Sequence, residues 1–312
     1  MATCLVTGGA GFIGSHLVEA LLARGDRVRV LDDFSTGRRE NLKELEGRIE
    51  LVVGDCADPA TAQKATAGVD WVFHEAAIPS VPRSVKDPIG SDRANCAGTV
   101  TMLEFARRAG VKRFVYAASS SAYGDTPTLP KEESMKPQPL SPYAVQKLAG
   151  EHYCRVYFDT HGLETVALRY FNVFGPRQDP TSEYAAVVPK FVGAAVRGEP
   201  VTVFGDGLQS RDFTPVRDAV QANLLAAESD RATGEVINVA RGERITLVEL
   251  VDRIGELVGR PVEVRRAPPR SGDVRHSLAD ITRARELLGF RPSPSLAEPL
   301  AEVVELFRSG RG

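Results

Sequence analysis

Apolar residues near the start of the chain fall in short runs. Thr3-Cys4-Leu5-Val6-Thr7 and Arg27 to Leu31 are rich in β formers, and Ile49 to Val53, Trp71 to His74, Arg113 to Ala117 and Thr165 to Leu168 repeat the pattern. Between these runs the apolar positions take helical spacing, over Ser15 to Arg24, Asp58 to Ala67, Pro88 to Ala109 and Pro142 to His161. Strands alternating with helices predict βαβ units, and so an α/β fold with a doubly wound parallel sheet covered on both faces. After Arg169 the pattern loosens. Glycine, proline and short strands appear, as in Gly198-Glu199-Pro200-Val201-Thr202-Val203-Phe204-Gly205. A helix over Thr246 to Val258, a strand over Val262 to Arg265 and two C-terminal helical runs follow. The expected division is a sheet domain over 1–170, which also receives a segment near 213–240, and a smaller α/β lobe made mainly of 171–312.

The first strand runs into Gly8-Gly9-Ala10-Gly11-Phe12-Ile13-Gly14, and a helix follows. Gly8, Gly11 and Gly14 have the spacing of a Rossmann turn. Such glycines allow the tight turn, a close approach of the backbone to a pyrophosphate, and close helix–strand packing. The N–H groups of the helix start, at Phe12, Ile13 and Gly14, then face the phosphates. The second strand ends at Asp32, 18 residues beyond Gly14, with Asp33 next to it. An acid there suits the ribose hydroxyls of NAD and repels the extra phosphate of NADP. Arg38 and Arg39 lie close enough in sequence to weaken that exclusion. NAD is the expected cofactor.

Tyr143 and Lys147 stand four residues apart on the helix predicted over Pro142 to His161, so phenol and ammonium share a face. A neighbouring ammonium favours an ionised phenol. A phenol of lowered pKa is suited to take a proton from a sugar hydroxyl. Tyr-x-x-x-Lys by itself is common; its meaning comes from following a dinucleotide turn.

Composition narrows the field. The 312 residues carry 39 Lys and Arg against 41 Asp and Glu, a net charge of −2 that gives no sign of nucleic-acid or membrane attraction. No stretch of 18 apolar residues marks a transmembrane helix. The first residues run straight into a strand, so no signal peptide is expected. Cys4, Cys56, Cys96 and Cys154 are widely spaced, as are the 5 histidines, and no metal pattern results. A cytoplasmic, metal-free protein is the expectation.

Gly8 to Gly14, Asp55, His74-Glu75-Ala76-Ala77, Asn95, Ser119-Ser120-Ser121, Tyr143-x-x-x-Lys147 and Arg169-Tyr170-Phe171-Asn172-Val173-Phe174-Gly175 together resemble an extended short-chain dehydrogenase/reductase of the nucleotide-sugar 4-epimerase group. Ser80-Val81-Pro82-Arg83-Ser84, Ser119 to Asp125 and Asp273 to Ser277 look most like UDP-N-acetylglucosamine and UDP-glucose 4-epimerases. The resemblance implies a set of roles. Tyr143 is the base, and Lys147 its electrostatic partner and a ligand of the nicotinamide ribose. Ser119 shares the sugar hydroxyl with Tyr143, and Ser120 supports it, with the register of the triple serine open by one. Asp55 and Cys56 flank the adenine, while Ala76, Ala77, Asn95 and Tyr170 line the cofactor cleft.

On the substrate side, the resemblance puts Asn172 against the sugar diphosphate, Val187 and Lys190 near the nucleotide, and Arg211 and Arg270 on the phosphates. An arginine fork suits an oxyanion better than a lysine. Ser80, Arg83, Val203 and Asp273 complete the implied wall, and Ser277 borders the C2 substituent of the sugar. Serine there leaves room for an N-acetyl group. The helices over Pro88–Ala109 and Pro142–His161 resemble those of a four-helix homodimer interface.

The implied reaction is reversible inversion at C4 of a UDP-hexose through a 4-keto intermediate. UDP-glucuronate remains an alternative substrate. A 4,6-dehydratase would carry an Asp-Glu pair where Ser120 and Ser121 stand, and a non-enzymatic dinucleotide sensor would have no need of Tyr143 and Lys147.

Overall fold

The computed structural model describes residues 1–179, 187–268 and 274–310. Arg270 and Asp273 therefore lie outside the described residues. Six strands appear in order: β1 (Thr3–Thr7), β2 (Arg27–Asp32), β3 (Ile49–Val53), β4 (Trp71–His74), β5 (Arg113–Ser119) and β6 (Glu164–Tyr170). With the strand Val236–Val239 they form one seven-stranded parallel sheet. Its order is Val236–Val239, β6, β5, β4, β1, β2, β3. The winding direction reverses between β1 and β4, and a crevice opens at the carboxyl ends of those strands.

Alternation along the strands sends side chains to two cores. Cys4, Val6, Val30, Phe73 and Val115 face one, and Leu5, Leu31, Val72 and Phe114 face the other. The first core is closed by helix α1 (Phe12–Ala23) through Leu17, Val18 and Leu21, and by the helix Val216–Glu228 through Val220 and Ala226. The second is closed by α2 (Pro59–Thr66), whose N-cap Asp58 accepts the Thr61 N–H at 2.8 Å and whose first residue is the helix-initiating Pro59.

The run expected as one helix over Pro88 to Ala109 is broken. Short helices α3 (Val81–Lys86) and α4 (Pro88–Asp92) lead into a π turn over Arg93–Ala97, and α5 (Gly98–Arg108) continues from it. The wide turn rotates Asn95 inward, to 1 % exposure. Helix α6 (Pro142–His161) has the predicted bounds. Ser141 caps it by accepting the Ala144 N–H, and Gly162 ends it in the left-handed conformation at φ 69°.

A third hydrophobic cluster lies apart from the sheet. It joins the helices Val187–Arg197, Leu247–Val258 and Ala297–Arg308 with the strand Val201–Phe204, which pairs in parallel with Val264–Ala267. The helix Leu247–Val258 begins on a reciprocal cap between Thr246 and Glu249.

Candidate active site

A cleft of about 1280 Å³ runs along the carboxyl ends of β1, β2, β4 and β5 and reaches segments beyond residue 170. That exceeds the roughly 300–1,000 Å³ of an ordinary small-ligand pocket. Its floor is the glycine turn. Gly8 sits at φ +67°, its N–H donates to Leu31 O at 2.8 Å, and its carbonyl accepts the Gly11 N–H at 2.9 Å. A Cβ on Gly14 would stand 2.2 Å from Gly8 O, so only glycine lets α1 start this close to β1. No side chain caps α1. The first-turn N–H groups of Phe12, Ile13 and Gly14 have no partner within the helix, and all three residues line the cleft. That is a cradle for a pyrophosphate.

Asp32 ends β2. Its Oδ2 accepts the Ala10 N–H at 2.9 Å and its Oδ1 the Phe34 N–H at 2.8 Å, which fixes the carboxylate at the rim of the cleft. Burial raises its pKa, and the two N–H bonds oppose that. Asp33 also lines the cleft and accepts the Ser35 hydroxyl at 2.6 Å. Of the two arginines close to this acidic rim, Arg38 itself lines the cleft. Arg38 pairs with Asp179 at 2.8 Å, and Arg39 lies over the Phe34 ring at 4.1 Å. Asp55 and Cys56 form the next stretch of wall. Asp55 is bound by Arg93 and by the Ala57 N–H, both at 2.8 Å, and burial pushes the Cys56 thiol up.

Ala76 and Ala77 line the cleft, and so does Tyr170. Asn95 does not. Turned inward by the π turn, its Oδ1 accepts the Ile78 N–H at 2.7 Å and its Nδ2 donates to Gln146 Oε1 at 2.9 Å. It buttresses the wall from behind.

Tyr143 and Lys147 enter the cleft from α6, with Ser119 and Ser120 facing them from the end of β5. The Ser119 side chain lies beside the Tyr143 phenol and lowers its pKa. Ser119 Oγ also accepts the Ser121 hydroxyl at 2.9 Å. Of the three serines, Ser119 is therefore the one beside the phenol. The lowering of the Tyr143 phenol expected from Lys147 is not what sets its pKa here. Lys147 Nζ donates to Ala117 O at 2.8 Å and sits 5.0 Å from the centre of the Tyr116 ring. Burial lowers its own pKa to about 8. The Tyr143 phenol is raised above its usual value, because burial and the negative charge of Glu75 outweigh the lowering effect of Ser119.

Ser80 and Arg83 line the cleft from α3, which is tied to α6 by the Tyr143 N–H to Ser84 Oγ bond, and Asn172, Arg211 and Ser277 line it from segments beyond residue 170. Asn172 Nδ2 donates to Asp212 O at 3.0 Å, Arg211 Nη1 donates to Ser210 O at 3.0 Å, and the Ser277 N–H donates to Ser210 O at 3.0 Å. Three expected substrate residues lie off this wall. Val203 is 1 % exposed, because alternation along Val201–Phe204 turns Val201 and Val203 into the third core. Val187 packs against the same core, and Lys190 lies half-buried on the same helix, outside the cleft lining. Conversely Glu75, Lys131, Arg177 and His276 line the cleft although no role was read for them from the sequence. Glu75 had a signal, since it sits inside the His74-Glu75-Ala76-Ala77 strand end. Among the described residues no group of three His, Cys, Asp or Glu side chains is arranged to hold a metal ion.

The sequence profile of the NAD dependent epimerase/dehydratase family matches residues 4–240. The chain is 44 % identical over 309 residues to a UDP-glucose 4-epimerase of Mycolicibacterium smegmatis, with 98 % of both chains covered. Its fold superposes with a TM-score of 0.95 on the UDP-N-acetylglucosamine 4-epimerase of Methanobrevibacter ruminantium solved with UDP-N-acetylmuramic acid, at 40 % identity and 99 % coverage of both chains. With the UDP-glucose 4-epimerase of Thermus thermophilus solved with NAD, the TM-score is 0.89 at 39 % identity, covering 98 % of this chain and 99 % of that one.

Proposed function

The chain belongs to the NAD dependent epimerase/dehydratase family, and we propose that it is an isomerase that inverts C4 of UDP-hexoses, the N-acetylhexosamines and the hexoses, with a retained NAD. The observation that carries this reading is the meeting of the Tyr143 phenol and the Ser119 hydroxyl in the same cleft as the glycine turn. NAD, when bound, supplies reversible hydride exchange at C4. The chain's own residues do the rest. The helix start at Phe12 to Gly14 and the Asp32 carboxylate hold the dinucleotide. Tyr143 takes the proton from the C4 hydroxyl oxygen and, after the 4-keto sugar has turned, returns it to that same oxygen, which Ser119 holds. Lys147 keeps positive charge beneath the reaction. Asn172 and Arg211 grip the diphosphate while the sugar turns.

Under this reading residues 1–170 with the segment near 213–240 hold the cofactor, and 171–312 mainly hold the UDP-sugar. A second copy of the chain fits the apolar face shared by α3, α4 and α6, where Val85 is 63 %, Ile89 83 %, Val145 52 % and Val156 50 % exposed. No helix among the described residues is long and apolar enough to cross a membrane. Free thiols at all four cysteines suit the reducing cytoplasm.

Dehydration is disfavoured, since Ser120 and Ser121 offer hydroxyls where that reaction needs a carboxyl pair. The test is turnover of UDP-glucose, UDP-N-acetylglucosamine and UDP-glucuronate with no cofactor added. A mixture of C4 epimers from either of the first two supports the proposal. A dehydrated keto-sugar, a product from the uronate alone, or no product would overturn it.

A further inference from the structure

Glu75 follows β4 directly. Its N–H donates to Thr7 O at 3.2 Å, so its backbone is locked to the end of β1 beside the glycine turn. Its Oε1 accepts the Tyr170 hydroxyl at 2.7 Å, and Tyr170 Oη in turn accepts Asn223 Nδ2 at 2.6 Å. The carboxylate is thus fixed in the cleft wall by a tyrosine from β6, which an amide from the helix Val216–Glu228 holds in place. Among the described residues no guanidinium is bonded to it.

Two carboxylates act on Lys147: Glu75 and Glu151. Glu151 is already matched, because Arg169 binds both its oxygens, at 2.9 and 2.7 Å. Among the described residues Glu75 is hydrogen-bonded by the Tyr170 hydroxyl, and it follows His74, whose β5 partner Tyr116 immediately precedes Ala117, the residue whose carbonyl holds the Lys147 ammonium at 2.8 Å. We propose that Glu75 is the fixed counter-charge of Lys147 and a positioning residue for proton transfer at Tyr143. The proposal rests on the reading of Tyr143 and Lys147 as the catalytic pair.

Glu75 is bonded by Tyr170 of β6, is also acted on by Asn223 of the helix Val216–Glu228, and acts electrostatically on Lys147 and Tyr143 of α6. His74, next in the chain, points away to Thr7 and Thr99 and is neutral, burial and Lys147 having lowered its pKa to about 3. Burial pushes Glu75 itself up, and the Tyr170 bond and Lys147 pull it back. Glu75 raises Lys147 against its burial and raises the Tyr143 phenol as well. Both effects delay proton loss. A neutral side chain at this position lets Tyr143 and Lys147 each lose their protons at lower pH.

Glu75→Gln keeps an acceptor for Tyr170 and removes only the charge. Both limbs of its pH–rate profile should move to lower pH, by about one unit for a charge at this range in a partly dry cleft. Glu75→Asp keeps the charge, so its rate should fall while its limbs stay at the wild-type positions. A second readout does not need turnover: the near-ultraviolet phenolate absorbance of Tyr143, taken as the difference from a Tyr143→Phe background, should titrate lower in Glu75→Gln. If Glu75→Gln does not fold, Glu75→Ala serves for both measurements with the same expected shift. Unmoved limbs and an unmoved phenolate titration in the uncharged variant would overturn the proposal, as would equal shifts in the Asp variant. Wild-type activity in Tyr143→Phe would instead refute the catalytic pair, and the phenolate titration would still judge Glu75.

Discussion

Gly14→Ala should weaken NAD binding far more than it weakens the fold. The added methyl would stand 2.2 Å from Gly8 O and 2.9 Å from both Gly8 C and Gly9 Cα. All of these are backbone atoms, so no side chain can rotate aside. The turn cannot retreat either. Gly8 is packed against the end of β4, where a Cβ would meet Ala76 N and Cα at 2.8 Å, and its N–H is tied to Leu31 O at 2.8 Å. The start of α1 must therefore lift by about 1 Å to restore an ordinary carbon–oxygen contact. Overpacking of this kind costs about 1–3 kcal/mol.

The same displacement carries the N–H groups of Phe12, Ile13 and Gly14 out of hydrogen-bonding range of a pyrophosphate. A hydrogen bond to a charged group contributes about 1.5–3 kcal/mol. Losing one or two of them weakens NAD by roughly 10- to 10,000-fold. The assay is calorimetric titration of NAD into cofactor-stripped protein, with the thermal midpoint followed in parallel. Gly25→Ala is the control. Gly25 has φ +85° with nothing within 4 Å of its would-be Cβ, so it loses some stability through strain and keeps its NAD affinity. A folded Gly14→Ala protein that binds NAD as tightly as the wild type would refute the role given to the turn.

Tyr143→Phe should cut turnover by about 10²- to 10⁴-fold, the usual contribution of a general acid–base group. Steady-state rates with binding of UDP checked separately decide it, and a loss of less than about tenfold would remove the phenol from the proton path. Asp32→Ala should weaken NAD and narrow its advantage over NADP, because the ribose acceptor and the anchor of the Ala10 and Phe34 N–H groups go together. Titration of both cofactors into the stripped protein measures this, and an unchanged affinity ratio would exclude Asp32 from the ribose site. Ser277→Tyr should abolish turnover of UDP-N-acetylglucosamine and spare UDP-glucose, since overfilling a packed pocket costs roughly 1–3 kcal/mol. Equal losses on both sugars would show that Ser277 does not gate the pocket.

The sheet and its crevice were legible because the glycine turn, the acid after β2 and the strand–helix alternation are local signals that agree. Strand ends were less so. β5 runs two residues past the expected Ala117, to Ser119, because Ala118 and Ser119 are small, weakly patterned residues that pair with Arg169 and Tyr170 of β6. The π turn at Arg93–Ala97 had no signal in composition, and it decides that Asn95 faces inward. Val203 was lost to the simplest rule of strands, alternation, in a segment whose neighbours could not be placed from sequence. The sign of the Tyr143 shift failed for another reason. Spacing puts Lys147 on the same face of α6, but burial depth and the hold of Ala117 O on the ammonium are tertiary facts.

The two sides of the cleft are anchored differently, and the proposed reaction requires this. The reacting groups Tyr143, Ser119 and Lys147 sit on α6 and β5, elements packed into the main sheet. The opposite wall, with Asn172 and Arg211, is carried by short segments that converge on Asp212. That side chain is fully buried and accepts N–H groups from Ala279, Arg241 and Gly242 at 3.2, 3.1 and 3.1 Å, and burial pushes it up to about 7. Inversion at C4 needs one end of the substrate held and the other free to turn. Asp212 ties the diphosphate-holding wall together through backbone bonds. Under the proposed reading the sugar end instead meets small hydroxyl side chains of the cleft lining, at Ser80, Ser119, Ser120, Ser121 and Ser277, that can hydrogen-bond to either face of a ring. A wall of larger, directional side chains there would favour one face and stall the turn. On the proposed reading the site binds the nucleotide firmly and the sugar loosely, with the Tyr143 phenol as the fixed point that either face must reach.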